Sequence, residues 1–260
     1  MAETRASDRP GAGAGLTGRE TRRVAELIAR GARNREAITR PTRSIPGLSI
    51  EDARGIRDGV LRLSGQRVRA VCAAPTGEPI LLGADAVAAG SVRVLTAGES
   101  LEASIVAGVH GVLDAIVDPE LHGAEEHAAV LGIAVFRRPF GDGVDTVEDA
   151  VCANGGALAA VTAVLIGHGG APAELDVVSP SGSRTFVVPP LAELLEAAGE
   201  TATSALATSS HRPSVADAGR IAVLGSVVAS GLPLGSADTI AVSASGTRLL
   251  EVAADLGQFI

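Results

Sequence analysis

The chain contains no tryptophan, no tyrosine and no lysine, and only one methionine and two cysteines. Its aromatic side chains are Phe136, Phe140, Phe186 and Phe259. With so few rings there is no platform on which nucleic-acid bases would stack, and the core has to be built from small aliphatics. The 22 basic residues are all arginine, which excludes a lysine Schiff base or a lysine acid–base group. No apolar run approaches the ~20 residues of a membrane span, and the amino terminus carries no signal-type hydrophobic stretch. Cys72 and Cys152 are far apart in sequence and read as free thiols. The expectation is a soluble cytoplasmic protein, without membrane or nucleic-acid partners.

What is present is a long aliphatic chain: 260 residues, 46% hydrophobic, with a formal net charge of −8 and a pI near 5.2. That length buries a substantial core, and the acidity argues against nonspecific nucleic-acid binding. The positive charge is uneven, since 15 of the arginines fall between Arg5 and Arg69. Such a run reads as a solvated helical face, with an anion or partner surface as the functional alternative.

Residues 1–15 read as a disordered lead-in. Helical spacing runs from Thr17 to Arg35, with Val24, Leu27 and Ile28 on the apolar stripe and Thr17 with Glu20 as a capping box. Pro41 to Pro46 breaks it. A second helix starts at Ser49 as cap, uses Ile56, Val60, Leu61 and Leu63, and ends near Gly65. From residue 66 the texture changes to short strands split by Gly and Pro: 68–73, 80–82, 92–95, 131–136, 158–166, 175–178, 185–188, 221–228, 239–244 and 249–254. Leu101 to Val117 reads as a helix, and so does Pro190 to Gly199. The fold class expected is α+β: a helical segment over 16–65 on a β-rich core over 66–260 with inserted helices, in one globular unit.

Three segments carry chemistry by likeness. Pro46-Gly-Leu-Ser-Ile-Glu-Asp-Ala-Arg-Gly-Ile-Arg is followed by a strand from Gly65 to Thr76. Asp145-Thr-Val-Glu-Asp-Ala-Val-Cys-Ala-Asn runs from Asp145 to Asn154. The third is Gly219 to Phe259, with Leu224-Gly-Ser and Ala237-Asp-Thr inside it. In this order they resemble the 2-keto-4-pentenoate hydratase / 2-oxo-3-hexenedioate decarboxylase family of the fumarylacetoacetate-hydrolase-like superfamily. The family text reads Pro-Gly-Leu-Ser-Leu-Glu-Asp-Ala-Tyr-x-Ile-Gln, then Gly-Glu-x-Val-x-Gly-x-Lys-Ile-Gly-x-Thr. Cys72 falls on its active-site lysine, Ala74 on a glycine, and Thr76 is retained. Asp145, Thr146, Val147 and Asp149 match the family's Asp-Thr-Val-Ala-Asp, and Asn154 falls in its serine run.

The resemblance implies a mixed or antiparallel β-roll carrying N-terminal helices, and chemistry on a small 2-oxo or enol acid. It also implies Mg²⁺ or Mn²⁺ held by a Glu-x-Glu pair and a later Asp. Glu102 and Asp118 are the candidates for that set, but Ser104 stands where the second glutamate would be. An alternative alignment places 101–117 as the helix between the ligands and removes the pair. No cofactor is therefore expected, with Mg²⁺ or Mn²⁺ reserved for a working remnant. The implied site comprises Cys72, Asp118 and Asp149 as reacting groups, and Thr76, Asn154, Arg212 and Ser226 as substrate contacts. Two functions follow. One is a diverged lyase, isomerase or cyclase acting on a small carboxylate, in a homo-oligomer. The other is a non-catalytic homologue that serves as a binding or scaffold subunit for an active paralogue.

Three further features carry weaker signals. His122 and Glu126 stand at helical i, i+4 spacing, with Glu125 and His127 adjacent, and could hold a borderline metal; an acidic surface turn is the plainer reading. Ser209, Ser210, His211 and Asp217 lack a nucleophile elbow. Gly167-His-Gly-Gly170 lacks the strand-to-helix context of a phosphate loop.

Overall fold

The computed structural model describes residues 15–256 apart from 35, 37, 66, 75–76, 97–100, 119–126, 138–139, 141–145, 166–172 and 210–219. The expected lead-in therefore lies almost wholly outside the described residues, as do the glycine-rich turn at 167–170, most of the acidic histidine cluster and the triad candidates beyond Ser209.

Both N-terminal helices form where their caps place them. Helix α1 (Gly18–Asn34) is closed by the Thr17–Glu20 box: Thr17 N–H donates to Glu20 Oε2 at 2.9 Å and Glu20 N–H to Thr17 Oγ1 at 3.4 Å. After the short α2 (Pro41–Ser44), helix α3 (Ile50–Ser64) starts with Ser49 accepting from Asp52 N–H at 3.1 Å and stops at Gly65, in the left-handed conformation at φ 67°. The contact between α1 and α3 is made by small residues. A methyl group at Gly59 would lie 2.8 Å from Ala25 Cβ, and one at Gly55 would lie 3.5 Å from Thr21 Cγ2. Leu27 and Leu63, expected inward, are exposed because Ala25, Ile28 and Ala29 take the buried positions on α1 and close backbone approach replaces bulk.

The β core is two sheets. The first has seven strands in the order β2 (Ile80–Gly83), β1 (Val68–Cys72), β10 (Arg220–Leu234), β5 (Leu101–Val112), β6 (Ala128–Phe136), β7 (Ala157–Val164) and β3 (Val87–Ala89). The second has five: β4 (Ser91–Thr96), β12 (Thr247–Leu256), β11 (Thr239–Ala244), β8 (Ala173–Ser179) and β9 (Gly182–Val188). Most pairs are antiparallel, but β1 runs parallel to β10, β3 to β7 and β4 to β12. Among the described residues three more α-helices follow: α4 (Leu113–Val117), α5 (Val147–Cys152) and α6 (Leu191–Thr208).

Residues 101–112 correct the helix expected there. They form the second longest strand, buried on both faces between β10 and β6. A strand without a wet face reads as a continuous apolar run, and periodicity alone does not separate it from a buried helix. Helix α6 outruns its expected end at Gly199 because that glycine packs against α4: an added methyl would stand 3.3 Å from the Ile116 carbonyl.

Alternation along the strands divides the seven-stranded sheet into two buried faces. One face, with Val71, Val109, Leu131, Ile133, Val161 and Val223, packs on the second sheet and α6 to make the main core. The other face gathers a second aliphatic cluster drawn wholly from this sheet and the short segments joining its strands. The sheet therefore curls upon itself, helped by three register shifts along β10 that bend and twist the strand. The result is a rolled sheet whose concave side is lined by its own strands.

Candidate functional site

The concave side of the roll is where Cys72 sits. It pairs in register with Leu224 on one side and Ile80 on the other. Around them stand Ala70, Val106, Ala134 and Ala160, all buried. Gly132 gives the neighbouring strand its close approach: a methyl there would meet Leu224 Cδ1 at 3.1 Å and Val106 Cγ2 at 3.2 Å. Leu224 thus reaches toward β6. Cys72 is the polarisable exception in an aliphatic lining, and burial pushes its thiol up to about 12. At neutral pH it is a protonated thiol, which is neither nucleophile nor metal ligand.

The metal set expected from the resemblance does not fit what the strands present. Glu102 and Ser104 lie on β5, and their partners on β6 are Phe136 and Ala134. No residue of β6 from Ala128 to Phe136 is acidic. Asp118 caps α4 beyond the far end of β5, its N–H bonded to the Asp114 carbonyl at 3.0 Å. Ten residues of strand separate Glu102 from Val112, roughly 33 Å at strand rise. Glu102 and Asp118 therefore do not share an ion. Among the described residues no three His, Cys, Asp or Glu side chains are grouped as a metal site.

Asp149 is buried and already occupied. It takes Thr42 N–H at 3.0 Å, Thr42 Oγ1–H at 2.6 Å and Thr146 Oγ1–H at 3.3 Å, while its own N–H donates to Thr146 Oγ1 at 3.2 Å. This is the capping pair of α5, extended to the first turn of α2. Asn154, at φ 53°, turns its amide to the free edge of β2. Its Nδ2–H donates to the Leu81 carbonyl at 2.5 Å and its Oδ1 accepts from Leu81 N–H at 3.0 Å. The side chain acts as one more strand residue and covers an edge.

Ser226 is paired with Ala107 of the main core, past a bulge that also holds Gly225 and Gly108. It therefore belongs to the opposite face of the sheet from Cys72. Thr76 and Arg212 lie outside the described residues. Among the described site residues Cys72 and Asn154 approach one another, through Ile80 and Leu81 of β2, and the Asn154 amide is bonded to Leu81.

The polar constellation that sequence reasoning missed lies beside the roll, on α3. Arg57 is 1% exposed and Asp58 5%. Arg57 Nε–H donates to Asp58 Oδ1 at 3.1 Å and Nη2–H to the Thr208 carbonyl at 3.0 Å, while Ser209 Oγ–H donates to Asp58 Oδ2 at 3.1 Å. Arg57 Nη1 and Thr208 Oγ1 are buried without a hydrogen-bond partner. One turn earlier, Arg54 grips Glu78 by two bonds, 2.6 and 3.2 Å, which raises the guanidinium pKa further. The signal was in the quoted motif: Arg57 stands where the family text has Gln, and Arg54 where it has Tyr. His127 is a second orphan, 8% exposed with neither ring nitrogen bonded.

No family model matches the chain, and no curated protein sequence matches it. Solved structures do. It is similar to 4-oxalocrotonate decarboxylase from Pseudomonas putida G7 complexed with magnesium and adipate, at 12% identity and a TM-score of 0.65 over 92% of this chain and 98% of that one. The same enzyme complexed with calcium and acetate superposes at 13% identity and a TM-score of 0.62, with the same coverage. At this identity the likeness speaks for architecture. The chain shares the fold of that decarboxylase.

Proposed function

We propose that this chain is a non-catalytic relative of the lyases that share its fold, serving as a binding or scaffold subunit. The observation that carries the reading is the lining of the roll. Catalysis by the family's route needs hard oxygen donors and a proton-transfer group aimed at one small acid. Here the concave face presents aliphatic side chains and one thiol whose proton burial retains. The carboxylate of Asp149 and the amide of Asn154 are spent on internal hydrogen bonds. The basic helices α1 and α3 offer the docking surface, since α1 carries Arg19, Arg22, Arg23, Arg30 and Arg33.

A diverged enzyme would use a different constellation to act on its small carboxylate, and the described residues among those matched by resemblance do not converge on one. The test is direct turnover. The purified full chain is incubated with 2-hydroxypenta-2,4-dienoate, with and without Mg²⁺, and the substrate is followed by proton NMR. The reading expects the substrate to persist at its uncatalysed rate in both samples. Metal-stimulated loss of the vinyl signals would overturn it.

A further inference from the structure

We propose, on the reading of α1 and α3 as a docking surface, that the groove between them receives the acidic face of α6 from a second copy of this chain.

The groove exists because the two helices cross on small residues. A cavity of about 520 Å³ opens along the crossing. Gly18, Gly55 and Gly59 line it without side chains, and a methyl added at Gly18 would touch nothing within 4 Å. Arg22, Arg62 and Leu63 border it, all three exposed. Arg19, also exposed, stands one turn before Arg22. Arg19 and Arg62 enter no ion pair among the described residues. Arg22 meets Glu26 at 2.9 Å, with side chains 75% and 50% exposed, and an exposed pair of this kind holds weakly.

Helix α6 carries the complement. Its buried face is Leu194, Ala198, Ala202 and Ala205. Glu193, Glu196 and Glu200 stand at i, i+3 and i+7, which sets three exposed carboxylates on one outward stripe. None of them has an ion pair among the described residues. Like charges at this spacing destabilise the helix that bears them, and guanidinium groups docked along the stripe remove that cost. The stripe continues with Thr203 and Ala207, both exposed and small enough to let another backbone come close. Glu193 to Glu200 spans roughly 10 Å of helix, and so does Gly55 to Arg62.

Charge distribution favours a second copy as the occupant. Residues 1–69 hold 15 of the 22 arginines but only 8 of the 30 acidic residues. The chain thus brings its own complement. The Thr208 carbonyl receives Arg57 Nη2 at 3.0 Å, so the end of α6 abuts α3 within one protomer. Groove and stripe lie on neighbouring elements, and a two-fold pairing uses each of them twice.

The full chain is followed by sedimentation velocity as its concentration is raised to about 100 μM at low salt. A dimer is expected with a Kd of roughly 10 μM, weakened about tenfold or more between about 50 and 500 mM salt, because solvent-facing charges are screened. Arg62→Glu and Glu196→Arg should each raise the Kd about tenfold or more. Mixing the two should restore it, since the reversed groove then meets the reversed helix while the native groove meets the native one. Should either reversal fail to fold, Arg62→Gln and Glu196→Gln should each weaken the dimer about threefold. A monomer at about 100 μM, a dimer indifferent to salt or to changes at Arg62, or no recovery in the mixture would overturn the proposal. Turnover in the dienoate assay would instead contradict the non-catalytic reading and leave the dimer standing.

Discussion

The carboxylate of Asp149 holds both the backbone N–H and the hydroxyl of Thr42, at 3.0 and 2.6 Å, across more than a hundred residues of chain. This pair joins α5 to α2, and with Thr146 it engages both oxygens of the carboxylate that the sequence match had assigned to catalysis. Replacing Asp149 by Asn keeps the volume but turns an amide donor toward a donor. The expected cost is about 2–4 kcal/mol, from lost charge-assisted bonds and an unmet N–H. Urea denaturation followed by circular dichroism measures it; a loss under about 0.5 kcal/mol would contradict the assignment.

Cys72 and Leu224 give the pH behaviour of the lumen. The thiol's ordinary value is 9.0 and burial raises it to about 12 in the folded chain. Above pH 9 the unfolded thiol releases its proton while the folded one keeps it. The stabilisation is therefore fully present below pH 9 and lost as pH rises toward 12, at up to roughly 1.4 kcal/mol per pH unit. Cys72→Ala should flatten the alkaline slope of stability. In the native protein at pH 8, Cys72 should resist a thiol reagent that labels it readily in urea, and rapid native labelling would show an open lumen.

The crossing of β5 and β10 depends on Gly108. A methyl group there would stand 1.8 Å from the Val223 carbonyl oxygen, which is backbone and does not yield. Gly108→Ala should cost at least about 4 kcal/mol, in the exceptional range for one substitution. Loss of soluble protein on expression, or a large drop in Tm, is the expected result.

Asn154 separates an edge-covering role from a substrate contact. Asn154→Asp keeps Oδ1 but removes the donor to the Leu81 carbonyl and sets oxygen against oxygen. Asn154→Gly loses the amide bonds but suits the positive φ. The aspartate should be the less stable of the two by about 1 kcal/mol, as read by thermal unfolding. Equal stability would argue that the edge contact contributes nothing.

Much of this architecture was legible. The caps at Thr17, Ser49 and Gly65 set the helix boundaries because capping is local chemistry, readable without knowing what lies across the fold. Most strands declared themselves through β-branched residues between glycines and prolines. Residues 101–112 did not, because burial on both faces erases the alternation that marks a strand. The candidate site was less legible for a related reason. Likeness of text placed Cys72, Asp149, Asn154 and Ser226 by order along the chain, but a bulge at residues 224–225 sends Ser226 to the other face. Hydrogen bonds from distant segments occupy Asp149 and Asn154. Arg57 was visible only as a departure from a motif, since burial of an arginine depends on Asp58, Thr208 and Ser209 closing around it.

The central claim is that the described strands of the roll bring together no seat for a divalent ion. It is tested most directly by titrating Mn²⁺ into the full chain and reading the free ion by electron paramagnetic resonance. The account predicts that the Mn²⁺ signal rises in proportion to the metal added, with no saturable uptake below about 1 mM. Uptake of one ion per chain at micromolar concentration, lost in Glu102→Gln, would contradict it.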